Sequence, residues 1–287
     1  MQLPAGFFAG VMQDSEVHAL DQWAADEGWN PGLHDVAAAH ALDPEAFIAL
    51  RQDGVLAGGG TIFRHSTNFG FMGLFIVRTD LRRQGIGRAL WHWRRDILRA
   101  RLAPGATIGM DGVFDMVPFY TRGGFQFAHR SLRYEGPSTG GRRDPAACDA
   151  HTLPASALQN FDGQHFPCLR PAFLSAWIRQ PGTRARALIE DGGIQAFGAI
   201  RACRRGYKIG PLFATTPARA DRLLGDLLDN TEGALVQLDI PEPNSEGLAL
   251  ARARGLTESF GCARLYLGRD PALPLNQIFG VTSFEFG

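Results

Sequence analysis

The chain has 287 residues, 45% hydrophobic and 20% charged, a globular composition long enough for one large domain or two ordinary ones. Its 29 basic and 29 acidic residues cancel, so it lacks the field that holds a phosphate backbone, and no nucleic-acid partner is expected. No apolar run reaches the roughly 18 residues of a membrane span, and the opening MQLPAGFFAGVM lacks the basic region of a signal peptide.

In chain order, residues 16–29 read as a helix with Val17, Leu20, Trp23 and Ala24 on one face. Asp43-Pro44-Glu45 has the form of a helix start, with Asp43 as N-cap and Pro44 at the first helical position. Strands are predicted at 47–51, 55–63 and 69–77. An R-R-Q-G-I-G turn then opens a helix with Ile86, Leu90, Trp93 and Ile97 on one face and Arg88, Arg95 and Arg99 on the other. Strands near 106–111 and 125–134 flank a short helix at 114–122, an α/β meander rather than repeated βαβ crossovers.

The stretch 136–146, GPSTGGRRDPA, is the clearest break in periodicity. Beyond it the pattern recurs. Segments 47–77 and 187–214 both run strand, D-G turn, strand, connection, strand, with Gly73 and Gly210 at matching places. Further on, Gly124-Phe125 corresponds to Gly255-Leu256, and Tyr134-Glu135-Gly136 to Tyr266-Leu267-Gly268. A tandem duplication is the reading: a half 1–136, a linker 137–146 and a half 147–287. The four cysteines (Cys148, Cys168, Cys203, Cys262) are scattered without a C-x-x-C pair, so neither a metal site nor a disulfide framework is expected, and a cytoplasmic location fits. Lys208 is the only lysine among the 29 basic residues, which raises the question of whether a compact ammonium is needed there.

The sharpest local signal is Leu74-Phe75-Ile76-Val77 followed by Arg82-Arg83-Gln84-Gly85-Ile86-Gly87-Arg88 at the start of a helix. Glycines let a ligand approach the backbone, and a loop opening a helix aims unpaired N–H groups and the helix dipole at an anion such as a pyrophosphate. The turn is too short for a Walker loop and lacks the third glycine of the dinucleotide fingerprint. A second signal is Val117-Pro118-Phe119-Tyr120, three residues, then Gly124-Phe125.

In this order the two signals resemble the GNAT acetyltransferase superfamily: Arg82-x-x-Gly85-x-Gly87 matches its acetyl-CoA signature and Tyr120-x-x-x-Gly124-Phe125 its C-terminal one. The second segment is similar to that of serotonin N-acetyltransferase. The wider chain is similar to a two-domain bacterial branch of YitH type, through segments such as Glu27-Gly28-Trp29-Asn30-Pro31-Gly32, Gly206-Tyr207-Lys208-Ile209-Gly210-Pro211-Leu212 and Phe279-Gly280-Val281-Thr282-Ser283-Phe284.

The resemblance implies an α+β chain of two GNAT folds, each a mixed, mostly antiparallel twisted sheet flanked by helices. It implies acetyl-CoA as cofactor, its pyrophosphate held at Arg82, Arg83, Gln84, Gly85, Ile86, Gly87 and Arg88. Its pantetheine arm would pair with Phe75, Ile76 and Val77. A primary amine, on a small molecule or an amino-acid-like acceptor, would attack the thioester directly, with Tyr120 donating a proton to the departing thiolate. Asp111, then Glu27, are the candidates for the base. Trp29, Asn30, Tyr207 and Lys208 are candidate acceptor contacts. The second half has no R-x-x-G-x-G after Tyr207–Ala214 and carries Ala251 where the first has Tyr120, so it reads as a degenerate copy covering the acceptor site or serving as scaffold. Two rival readings are a non-catalytic module that senses acetyl-CoA and a peptide or aminoacyl transferase with a larger donor.

Overall fold

The computed structural model describes residues 3–287. The first half runs β1 (Phe7–Val11), α1 (Asp14–Asp26), α2 (Asp35–Leu42), β2 (Phe47–Gln52), β3 (Val55–Arg64), β4 (Phe69–Val77), α3 (Ile86–Ala100), β5 (Thr107–Gly112), α4 (Val117–Arg122) and β6 (Gln126–Pro137). The second runs β7 (Ala147–Asp149), α5 (Ala155–Gly163), α6 (Pro171–Ile178), β8 (Arg184–Glu190), β9 (Gly193–Ala202), β10 (Tyr207–Ala214), α7 (Pro217–Leu227), β11 (Leu235–Pro241), α8 (Ser245–Ala253), β12 (Thr257–Leu267) and β13 (Ile278–Gly280).

All strands join one sheet in the order β1-β2-β3-β4-β5-β12-β6-β11-β10-β9-β8-β7, with β13 paired to β10. Among the described residues, only β4·β5 and β10·β11 pair in parallel. Near the middle the halves exchange strands. β12 of the second half lies between β5 and β6 of the first, and β6 lies between β11 and β12. Neither half completes its own sheet, so side chains of β12 reach the first half's interior.

The alternation of each strand sorts residues onto two faces. On one face of the first half, Ile62, Met72, Ile108 and Met110 meet α3 and α4 through Leu90, Trp91 and Tyr120. On the other, Phe47, Phe63, Leu74 and Ile76 meet α1 and α2, with Phe173 and Trp177 from α6 of the second half. Buried ion pairs fasten the halves together. Arg133 on β6 donates to both oxygens of Asp239 on β11 (2.7 and 2.8 Å), and Arg201 on β9 pairs with Asp35 on α2. Burying such pairs is costly, and leaving one member unpaired costs more, which ties the halves to one arrangement.

Two local expectations need correction. Asp43-Pro44-Glu45 opens only a single 3-10 turn, and the Asp43 carboxylate accepts from Arg101 (2.6 Å) instead of capping it. The helix missed in the sequence, α2, lies just before it. On α3 the buried positions are Ile86, Ala89, Leu90, Trp91, Arg94 and Leu98, so the inward face is rotated from the predicted stripe, and Trp93 and Ile97 are only partly covered.

Candidate active site

β4 and β5 pair only from Phe69–Met72 against Thr107–Met110 and then part, although β4 continues to Val77 and β5 to Gly112. A bulge drives them apart. Thr61 of β3 faces Gly73 and Gly59 faces Ile76, which leaves an extra residue on β4, and Leu74 takes φ 48° to fit it. The opening is a cavity of about 620 Å³ lined by residues 72–77 of β4, 110–112 of β5 and Val113 just beyond it.

Arg94 of α3 lies beneath the bulge, fully buried. Its guanidinium donates to the carbonyls of Thr61 and Gly73 (2.7 Å to the latter), the two that the bulge disturbs. Gly60 is required opposite it, because a Cβ there would collide with the guanidinium. No carboxylate pairs with Arg94 among the described residues. Burial lowers its pKa to about 9, still leaving it charged at neutral pH beside the cavity.

One end of the cavity is the turn before α3. Gly85, at φ 81°, is its N-cap, and Arg83 is also left-handed at φ 65°. Among the described residues no side chain caps this helix, and its first turn holds no acidic residue. Among the described residues, the N–H groups of residues 83–88 find no acceptor; the first helical bond is Ala89 N–H to Gly85 (3.2 Å). These six orphan donors, a helix dipole and Arg82, Arg83 and Arg88 around them suit a diphosphate. Gln84 is spent on the turn itself, its amide donating to Asp80 O (3.0 Å). Arg82 donates to Val77 O (2.8 Å) and pairs with Glu27, tying the turn to the end of β4 and to the segment after α1.

Tyr120 stands on the same side of the sheet as Arg94. Its ring packs near Trp91, 5.9 Å between centroids, and over Gly112, where a Cβ would strike it. The hydroxyl makes no hydrogen bond among the described residues, and the side chain lines the cavity. Burial pushes its pKa up to about 12, with Arg94 pulling the other way, so the phenol keeps its proton through the physiological range.

The opposite side of the cavity carries Glu27, Trp29, Asp111, Arg133, Phe260 and Glu285. Asp111 does reach the wall, but Arg264 of β12 donates to both its oxygens at 2.7 Å and its side chain is fully enclosed. It serves to hold Arg264, and burial raises its pKa in spite of that partner. Glu27 sits at the mouth in its ion pair with Arg82, about a third exposed. Trp29 lines the cavity. Asn30, Tyr207 and Lys208 do not. The Asn30 side chain is used up by Arg205 N–H and O and by Gln237, all at 3.0 Å; Tyr207 packs against the second half's core; buried Lys208 donates to Trp29 O (3.4 Å). These three belong to the seam between the halves. Phe75, Ile76 and Val77 line the cavity, as do Arg82, Arg83, Gly85, Gly87 and Arg88, whereas Gln84 and Ile86 do not face it. The sequence reading missed Arg94 and Glu285. The glycine run Gly58-Gly59-Gly60 is the one local hint of the first, since something must fill the space that Gly60 leaves.

The second half handles its own opening differently. β10 and β11 pair in parallel only over Tyr207–Ile209 and then part, but β13 enters the gap, pairing with β10, and Val281 N–H donates to Asp239 O (2.8 Å). Asn244 clamps the inserted strand, its amide donating to Ile278 O (2.9 Å). Gly210 lies under this segment, as Gly73 lies under Glu285. At the following helix, Thr216 caps α7 by accepting from Arg219 N–H (3.3 Å).

Residues 14–125 match the acetyltransferase (GNAT) family and residues 158–280 an acetyltransferase (GNAT) domain. The chain is a member of the GNAT superfamily. This tandem GNAT protein is 23% identical over 276 residues, 95% of its length and 92% of the relative's, to the holothin acyltransferase of Pseudoalteromonas sp. (strain SANK 73390). Among solved structures it is similar to a putative acetyltransferase from Pyrococcus horikoshii, at TM-score 0.85 and 21% identity over 100% of this chain and 98% of that one. It also resembles a tandem GNAT protein from the clavulanic acid biosynthesis pathway, at TM-score 0.62 and 16% identity over 92% and 99% of the two chains. These likenesses bear out the recognition of two GNAT domains, the α+β fold and the assignment to the acyltransferases. No helix among the described residues is long and apolar enough to cross a membrane, and no cluster of side chains there could hold a metal ion.

Proposed function

We propose that this tandem GNAT acyltransferase moves an acetyl group from acetyl-CoA to a primary amine, with the donor held only by its first half. The observation that carries the reading is the continuity of one cavity from the uncapped turn at 83–88, along the parted edge of β4, to the free hydroxyl of Tyr120. Acetyl-CoA supplies an activated thioester. The N–H groups of residues 83–88 bind its diphosphate, and the unpaired edge of Phe75–Val77 offers main-chain partners to the amides of its arm. Arg94 fixes the bulge that keeps this edge open. Tyr120 donates a proton to the leaving thiolate, and its raised pKa ensures that it holds one to give. Direct attack by the amine fits a cavity lined from both faces of the sheet, and the second half contributes acceptor-side wall through Phe260, Phe284 and Glu285. A cytoplasmic site of action is part of the same proposal.

The test is thiol release from acetyl-CoA against a panel of primary amines, with wild type and Tyr120→Phe compared. The phenylalanine variant is expected to bind acetyl-CoA as wild type does while turnover falls by about 10²–10⁴-fold. Wild-type activity should show no alkaline loss attributable to Tyr120 until the pH approaches about 12. Unchanged turnover in the variant removes the proton-donor role. A protein that binds acetyl-CoA yet never releases thiol is a sensor instead.

A further inference from the structure

The mechanism above needs a group to take the proton from the acceptor's ammonium, and three of the carboxylates in this region are occupied. Asp111 gives both oxygens to Arg264 and Asp239 both to Arg133, while Glu27 is tied to Arg82 at the mouth. Glu285 is different. It is buried, 5% exposed, and lies on the cavity wall across the sheet from Tyr120. One oxygen accepts from Ser283 Oγ (2.8 Å), and among the described residues the other makes no hydrogen bond. That oxygen is not sealed off from the cavity, so a donor bound there can complete the carboxylate's hydrogen bonding.

Its placement is over-determined. Ser283 Oγ also accepts from the N–H of Glu285 and of Phe286, both at 3.0 Å, which sets the direction of the carboxylate. Phe286 is buried among Phe63, Phe173 and Trp177, and its carbonyl accepts from His65 Nε2 (2.7 Å). The main chain of Glu285 rests directly on Gly73 at the bulge, where any Cβ would overlap its carbonyl. The closing segment therefore fills the second half's opening with β13 and then delivers a carboxylate to the point where the first half's opening begins.

Resting on the acetyl-transfer reading, we propose that Glu285 is the general base, binding the acceptor's ammonium and taking its proton. One N–H proton passes to the Glu285 carboxylate, and the freed nitrogen lone pair forms the C–N bond to the thioester carbonyl carbon as the C–S bond breaks. The sulfur takes the Tyr120 proton; the second proton lost by nitrogen returns through solvent to the phenolate, and Glu285 releases its own to solvent. The net result is an amide, a free thiol and one proton. Charged and titratable groups near enough to bias Glu285 are Asp21 on α1, Asp111 on β5, Arg133 on β6, Cys203 after β9 and Cys262 on β12.

Glu285→Gln keeps the shape and the bond to Ser283, and Glu285→Asp keeps the charge at shorter reach. Acetyl-CoA affinity by calorimetry and the thermal midpoint are read first, without turnover, and both should match wild type in the glutamine variant. With benzylamine, ethanolamine and glycinamide as acceptors, kcat/KM should fall at least about 100-fold in Glu285→Gln. The acid limb of its pH profile should vanish, and Glu285→Asp should recover part of both. A glutamine variant that binds acetyl-CoA and keeps the wild-type rate and acid limb overturns the base assignment alone. A wild type that binds no acetyl-CoA, or binds it and acylates none of the panel, overturns the acetyl-transfer reading and the base assignment with it.

Discussion

The two halves share a fold and differ in what fills the gap between their parallel strands. In the first half the gap between β4 and β5 is open, the helix beyond it is uncapped, and a tyrosine hydroxyl faces in. In the second half β13 occupies the gap between β10 and β11, Thr216 caps the helix, and buried Ala251 stands where Tyr120 would be. In the second half the gap is filled by the chain's own strand, one helix N–H is met by Thr216, and the tyrosine hydroxyl is absent. The lesson is physical rather than genealogical: the same parted sheet either presents backbone donors to a ligand or has them met by its own chain.

The strongest way to break this comparison is a negative charge at the second residue of each helix. Gly87→Glu places bulk and charge among the orphan N–H groups of α3, and acetyl-CoA affinity should drop by more than about 100-fold in calorimetry. Ala218→Glu, at the matching exposed position of capped α7, should leave affinity within about twofold. If the two substitutions weaken binding alike, the halves are not distinguished at their helix ends.

A smaller effect sharpens the role of the inserted strand. A Cβ on Gly210 would come within 2.5 Å of Thr282 O and 2.6 Å of Val281 O, both backbone atoms of the closing segment. Gly210→Ala should lower stability by about 1–3 kcal/mol in chemical denaturation. Because the same segment carries Glu285, activity should fall while acetyl-CoA binding persists. Full stability in this variant means the segment is loosely seated.

Much of this was legible in the sequence, because local chemistry fixes it. The turn from Arg82 to Arg88 needs glycine at a left-handed N-cap, and Gly85 announces it. The strands 47–52, 55–64 and 69–77 follow from apolar runs and a D-G turn. Tyr120 reached the cavity because its spacing from Gly124-Phe125 sets a short helix before a strand. What stayed hidden depends on distant partners. The short α2 has a nearly uniform apolar face, and β1 is five residues long. Arg94 is one arginine among many, and an apolar periodicity cannot show that a guanidinium faces inward to meet two carbonyls. Asn30, Tyr207 and Lys208 seemed suited to a substrate, yet the strand exchange makes their surroundings a seam. That exchange is set by which edges meet in space. Glu285 lies one residue beyond the closing motif and acquires its meaning only from contact with Gly73.

The central claim is that one half of this chain is built to hold a diphosphate and the other is not. Calorimetric titration of the wild-type chain with acetyl-CoA tests it most directly. The account predicts a single equivalent bound per chain; two equivalents, or none, contradict it.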